Sequence, residues 1–197
     1  KGYITFYMNY LITGGCGFIG SHIVEHFHKN YPKSKILVID KITYAASINN
    51  LIEIKKPKRL KIYKTDILNF RKLKQITFKA DLVIHAAAES HVDNSFQLKD
   101  DFVVTNVLGT KNVMQACKEN KVKKILHIST DEIYGEIFKG SFNENDRFNP
   151  SNPYSSSKAA AEMIVNGYIH SYNLPVIIIR ANNIFGTRQH PEKLLSG

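Results

Sequence analysis

The chain reads as an α/β protein built on a doubly wound parallel sheet. Short β-branched runs alternate with helix-period stretches along its whole length, a glycine turn joins the first run to the first helix, and polar loops follow the strand ends. Strands are predicted over Tyr10–Thr13, Lys35–Ile39, Leu60–Tyr63, Leu82–His85, Lys124–Ile128 and Val176–Arg180, each a short apolar run with polar or turn-forming flanks. Helices are predicted over Phe18–Asn30, which opens directly from the glycine turn, Asn69–Ile76, Asp101–Glu119 and Asn152–Tyr172. Right-handed crossovers between these strands give the doubly wound arrangement. The Gly135–Pro153 connection, rich in Asn, Ser and Pro, is a long loop beside the candidate site.

At 197 residues and 43% hydrophobic content the chain can bury one sizeable core. No apolar run approaches the ~20 residues of a membrane span, and the opening Lys1-Gly2-Tyr3-Ile4-Thr5-Phe6-Tyr7 lacks the apolar core of a signal peptide. A cytoplasmic protein with no membrane contact is expected. Cys16 and Cys117 have no metal-ligand spacing and are expected as free thiols; no metal is expected. The formal charge of +10 and the Lys55-Lys56-Pro57-Lys58-Arg59-Leu60-Lys61 cluster come without a nucleic-acid motif. A solvated surface that helps attract an anionic substrate is the preferred reading over a nucleic-acid partner. Residues 1–7 are expected to be an extension ahead of Met8, with residues 8–197 forming one domain. The final Pro191-Glu192-Lys193-Leu194-Leu195-Ser196-Gly197 adds no closing element, so the chain is expected to be a piece of a longer protein.

Gly14, Gly17 and Gly20 lie in Thr13-Gly14-Gly15-Cys16-Gly17-Phe18-Ile19-Gly20, between a strand and a helix, which is the context a dinucleotide fingerprint requires. Gly14 permits the turn, Gly17 lets the backbone approach a pyrophosphate, and Gly20 allows close helix–strand packing, while the N–H groups opening the helix at Phe18 and Ile19 face the anion. Asp40 ends the second strand 20 residues after Gly20, placed to accept both ribose hydroxyls and repel a 2′-phosphate. NAD is therefore favoured over NADP, although Lys41 next door tempers the inference. Asp66-Ile67 can meet an adenine edge, and Ala86-Ala87-Ala88 leaves room for a cofactor against backbone.

The chemistry concentrates at Ser129-Thr130-Asp131-Glu132 and Tyr154-Ser155-Ser156-Ser157-Lys158: a hydroxyl, two acids, a phenol and an amine around one strand end. Tyr154 and Lys158 stand four apart and share a helix face. The ammonium is expected to lower the phenol's pKa and make it a usable base near neutral pH. Tyr31 and Lys35 repeat this spacing in a loop, so the pair draws its meaning from its neighbours.

Together these segments resemble the extended short-chain dehydrogenase/reductases, and within them the nucleotide-sugar 4,6-dehydratases, over about residues 9–195. The resemblance also rests on Asp40-Lys41-Ile42-Thr43-Tyr44-Ala45, His85-Ala86-Ala87-Ala88-Glu89-Ser90-His91-Val92-Asp93-Asn94-Ser95, Ser129-Thr130-Asp131-Glu132-Ile133-Tyr134-Gly135, and Arg180-Ala181-Asn182-Asn183-Ile184-Phe185-Gly186 leading to Pro191-Glu192-Lys193-Leu194. The acid pair Asp131-Glu132 distinguishes dehydratases from the family's epimerases.

The resemblance implies a Rossmann-type NAD-binding domain, ending before most of a nucleotide-sugar-binding subdomain. It implies redox-neutral dehydration of a nucleotide-diphosphate glucose, dTDP-glucose first and UDP-glucose second, to a 4-keto-6-deoxy sugar. Tyr154, helped by Lys158 and Thr130, would take the C4 hydroxyl proton, Glu132 the C5 proton, and Asp131 would protonate the departing C6 hydroxyl. Lys41, Ile42, Thr43 and Thr105 would line the cofactor, with Lys158 on its ribose; Ser90, Thr130, Asn183, Glu192 and Lys193 would stand on the substrate side. A homodimer through the helices at 101–119 and 152–172 is implied, with Ala159-Ala160-Ala161 suited to close packing. Phe185 stands where the family has Tyr, and Thr187 where it often has Pro. A nucleotide-sugar epimerase or decarboxylase, and a non-catalytic NAD-binding fragment, are the alternatives.

Overall fold

A computed structural model describes residues 7–54, 57–90 and 99–190, with Pro57 and Lys99 described by their backbones alone. The strands are β1 Asn9–Thr13, β2 Lys35–Asp40, β3 Leu60–Lys64, β4 Leu82–His85, β5 Lys124–Thr130 and β6 Val176–Ala181. Each begins within one residue of its predicted start, because unbroken apolar runs flanked by turn residues are what a strand buried on both faces needs. All pairings are parallel, in the order β3-β2-β1-β4-β5-β6. The order reverses direction between β1 and β4, and at such a point loops diverge to leave a crevice beyond the strand ends.

Helix α1, Phe18–Asn30, covers one face, where Val24 packs with Tyr10, Ile12, Ile36, Val38 and Ile84. The other face carries α2 Phe70–Thr77, α4 Thr110–Glu119 and α5 Pro153–Tyr172 over a core that includes Leu11, Leu37, Val83, Ile125, Leu73, Met114 and Val165. Each such fully buried aliphatic side chain contributes about 1.5–3 kcal/mol. The outer strand is covered less evenly: Ile177 and Ile179 of β6 remain about half exposed.

The helix predicted without interruption over Asp101–Glu119 is divided. Short α3, Lys99–Phe102, passes into a π-helical segment, Val103–Gly109, before α4. Tertiary contacts favour the wider turn. Gly109 is packed so closely on Ile67 that a Cβ would come within 2.4 Å of its Cδ1, and the buried Asn106 and Thr110 bind polar groups of other elements. Such bulges collect at functional sites. Among the described residues no helix is long and apolar enough to cross a membrane.

Candidate active site

Two glycines lock the turn after β1. Gly14 has φ +72°, and a Cβ there would lie 2.8 Å from the backbone of Ala87; a Cβ on Gly20 would lie 2.0 Å from the Gly14 carbonyl oxygen. The turn is tied to β4 by Ala86 N–H donating to Thr13 O (3.2 Å) and Ala87 N–H to Thr13 Oγ1 (3.3 Å). Gly17 differs, since a Cβ would meet only Gly14 O at 3.4 Å. It caps α1 without a side-chain hydrogen bond and no acid follows in the first turn, leaving the opening of the helix at Phe18 and Ile19 electropositive.

Asp40, at the end of β2, accepts from Cys16 N (2.9 Å) and Ile42 N (2.7 Å), and each oxygen keeps a further lone pair for another donor. Ile42 is held at φ +59°, rare for a β-branched residue, and is followed by the half-buried Thr43. Lys41 pairs with Asp66 at 3.2 Å, so the cation that tempered the preference for an unphosphorylated ribose already has a carboxylate. Ile67 is 4% exposed and belongs to the core. Ala86, Ala87 and Ala88 are half-buried in the segment that packs on the glycine turn. An uncapped helix start, an acceptor at the β2 end and a narrow backbone wall fit a dinucleotide. Burial, with the Asp40 charge adding, pushes the Cys16 thiol up to about 12 and makes it a poor nucleophile.

The proton-handling groups gather at the end of β5. Thr130 caps the 3₁₀ turn Asp131–Tyr134, its hydroxyl accepting from Glu132 N at 3.3 Å and donating to Asp131 Oδ1 at 3.3 Å. Helix α5 opens with a capping box in which Asn152 Oδ1 accepts from Ser155 N (2.8 Å) and Ser155 Oγ accepts from Asn152 N (3.2 Å). Asn152 Nδ2 also donates to Glu132 Oε2 at 3.4 Å, joining helix start to acid turn. Tyr154 and Lys158 are 9% and 5% exposed, and Lys158 Nζ donates to Ile128 O at 2.7 Å.

The expected acidification of the phenol is reversed. Burial raises the Tyr154 pKa, the Glu132 and Asp131 charges add to that, and only the Thr130 hydroxyl opposes them. The ammonium that was to lower it is itself buried and turned to the Ile128 carbonyl. Both shifts caused by carboxylates show that acid turn and phenol share one electrostatic environment.

A model of the family described as GDP-mannose 4,6 dehydratase matches residues 11–195. This chain belongs to that family, within the extended short-chain dehydrogenase/reductases. It is 46% identical over 203 residues to the dTDP-D-glucose 4,6-dehydratase of Dictyostelium discoideum, covering 96% of this chain and 47% of that protein. The human dTDP-D-glucose 4,6-dehydratase is 42% identical over 94% of this chain and 53% of its own length. Among solved structures, DesIV, a dTDP-glucose 4,6-dehydratase from Streptomyces venezuelae with NAD bound, superposes with a TM-score of 0.91 at 38% identity, covering 95% of this chain and 60% of that one. The chain thus spans about half the length of the curated relatives it matches.

Of the other residues the family resemblance marked, Thr105 lies in the π-helical segment, Ser90 ends the described part of the loop after β4, and Asn183 is exposed after β6. Glu192 and Lys193, like His91–Ser95, lie outside the described residues. Sequence reasoning missed Asn106. Its Oδ1 accepts from Glu89 N (2.8 Å) while its Nδ2 donates to Glu89 O (2.9 Å) and Ser157 Oγ (2.9 Å), joining the β4 loop to the residue before Lys158. An asparagine inside a helical apolar pattern was the available signal. His85 likewise bridges the Thr13 and Thr110 hydroxyls (2.8 and 2.9 Å), and burial pulls it down to about 3, so it stays neutral.

Burial pulls Lys158 down to about 8, opposed by Glu162. Between about 8 and 10.5 the unfolded chain then binds the proton that the native chain has lost, so this residue makes stability rise with pH across that window. Lys158→Met is expected to lack that rise, so the difference between wild-type and variant urea midpoints should change steadily above about pH 8. Parallel midpoints in both proteins from pH 7 to about 10 would contradict the depressed ammonium.

Proposed function

We propose that this chain carries the NAD-binding and proton-transferring part of a nucleotide-sugar 4,6-dehydratase acting on dTDP-glucose. The observation that carries the reading is the placement of Thr130, Asp131, Glu132, Tyr154 and Lys158 around one strand end, next to a loop shaped for a dinucleotide. The named activities of the relatives support dTDP-glucose as substrate.

A bound NAD would supply a hydride acceptor that becomes the donor within the same cycle, so the net reaction would be loss of water. Gly17, the helix start at Phe18 and Ile19, Asp40 and the Ala86–Ala88 wall would hold it, and Lys158 would hold its ribose. Tyr154 in its phenolate form, which the positive charge of a bound NAD⁺ would favour against the burial that raises its pKa, takes the C4 hydroxyl proton, with the Thr130 hydroxyl orienting the ring. The 4-ketone acidifies C5; Glu132 takes that proton as the C6–O bond breaks, and Asp131 delivers a proton to the departing hydroxyl, which leaves as water. Glu132 then gives its proton back to C5 as the hydride would return to C6, and the proton taken from the C4 hydroxyl replaces the one Asp131 gave up. Two acids with opposite tasks are needed because one proton is removed and another supplied.

The test is incubation of the native protein with dTDP-glucose and NAD⁺, following the 4-keto-6-deoxy product by NMR, beside calorimetric NAD⁺ titration of the 197-residue chain. Product should form, and Asp40→Asn should weaken NAD⁺ binding about tenfold to a hundredfold, the range set by about 1.5–3 kcal/mol for a hydrogen bond to a charged group. A 4-epimerised sugar, or no product from folded protein, would sink the reading.

The proposal includes a cytoplasmic location, which suits two buried free thiols, and a homodimer. Val103, Leu108 and Met163 are each about half exposed on the helical segments expected at the interface. Of the three alanines, Ala159 and Ala161 are buried within the chain's own core, leaving only Ala160 to face outward. Sedimentation should show a dimer that Met163→Glu weakens; a wild-type monomer at high concentration would contradict it.

A further inference from the structure

Helix α5 presents Tyr154, Lys158 and Glu162 at four-residue intervals, hence along one face. All three meet the last residues of β5. Tyr154 interacts with the Thr130 hydroxyl, Lys158 binds the Ile128 carbonyl, and Glu162 Oε2 accepts from Ser129 Oγ at 2.8 Å. Glu162 is completely buried, and its charge is matched by Arg180 at the end of β6, whose Nε donates to Oε1 at 3.0 Å and whose Nη2 donates to the same oxygen.

The rest of the guanidinium leaves the helix. Arg180 Nη1 donates to the Tyr134 hydroxyl and to Glu144 O (2.8 Å), and the group lies 5.0 Å from the centre of the Phe148 ring. Tyr134 is the last residue of the acid turn, and its ring stacks on Phe142. Asn149 N donates to Ile133 O at 2.9 Å, folding the long connection back onto the same turn. One cation therefore joins the helix bearing Tyr154, the turn bearing Asp131 and Glu132, and the connection beyond. A packed apolar pair could stabilise the core equally well, but it could not bind three elements in fixed directions.

We propose that Glu162 and Arg180 are positioning residues that set where the Asp131-Glu132 turn stands relative to the Tyr154 phenol. The kinetic consequence rests on the dehydratase reading; the geometric one does not. In the native protein, Arg180→Met and the charge-conserving Arg180→Lys are compared with wild type by hydrogen exchange and by steady-state kinetics. Amides of residues 131–149 should exchange at least about tenfold faster in Arg180→Met while those of β1, β2 and β4 keep their protection, with Arg180→Lys intermediate. Turnover should fall about a hundredfold with KM within about twofold, as expected for a small misplacement of reacting groups. Reduced cofactor should also accumulate, because elimination is slowed more than C4 oxidation. Unchanged exchange at 131–149, or faster exchange spread evenly over the sheet in Arg180→Lys as well, would overturn the proposal. A wild-type protein that dehydrates nothing would instead overturn the functional reading, and the exchange pattern would still decide this one.

Discussion

Tyr154→Phe is expected to lower the dehydration rate of the native protein about 10²–10⁴-fold, the contribution of one positioned proton-transfer group. The ring stays and only the hydroxyl leaves a site that is 9% exposed, so the fold should be kept and the urea midpoint should move little. The same phenol permits a test with a definite sign. Its pKa is raised by burial first and by the Glu132 charge second. Glu132→Gln removes the second cause, so the phenol should ionise at lower pH, and the limb on which C4 oxidation rises with pH should move toward neutrality. An unmoved limb, or a Tyr154→Phe protein within tenfold of wild type, would show that the phenol is not the base.

Gly14→Ala should strongly damage the dinucleotide turn. A residue with a Cβ at φ +72° costs about 1–2 kcal/mol, and pushing that Cβ to 2.8 Å from the Ala87 backbone adds about 1–3 kcal/mol. A loss of about 2–5 kcal/mol follows, read as a lower urea midpoint at constant slope. Gly17→Ala is the contrast. Its φ is −77° and its nearest neighbour stands at 3.4 Å, so stability should fall by at most about 1 kcal/mol while NAD⁺ affinity falls sharply. Equal destabilisation by both alanines would mean that Gly17, like Gly14, serves the fold and not the ligand.

Short windows of sequence were enough for the six strands, the helix start at Phe18, the later helix start to within one residue of Pro153, and the glycine turn after the first strand. Those features depend on short windows: alternation of apolar runs, a left-handed turn that only glycine accepts without strain, and side chains four apart on a helix. The tertiary structure alone decided the rest. The π-helical turn around Asn106 exists because residues 17 and 51 positions away supply its partners. Lys41 is neutralised by Asp66 from the next strand's loop, and the Glu162–Arg180 pair links elements 18 residues apart to a turn 46 residues from Arg180. The direction of the Tyr154 shift was misjudged for the same cause. A spacing of four brings an ammonium onto the right helix face, but a pKa follows burial and every nearby charge, and those are set by parts of the chain that meet only when the sheet has formed.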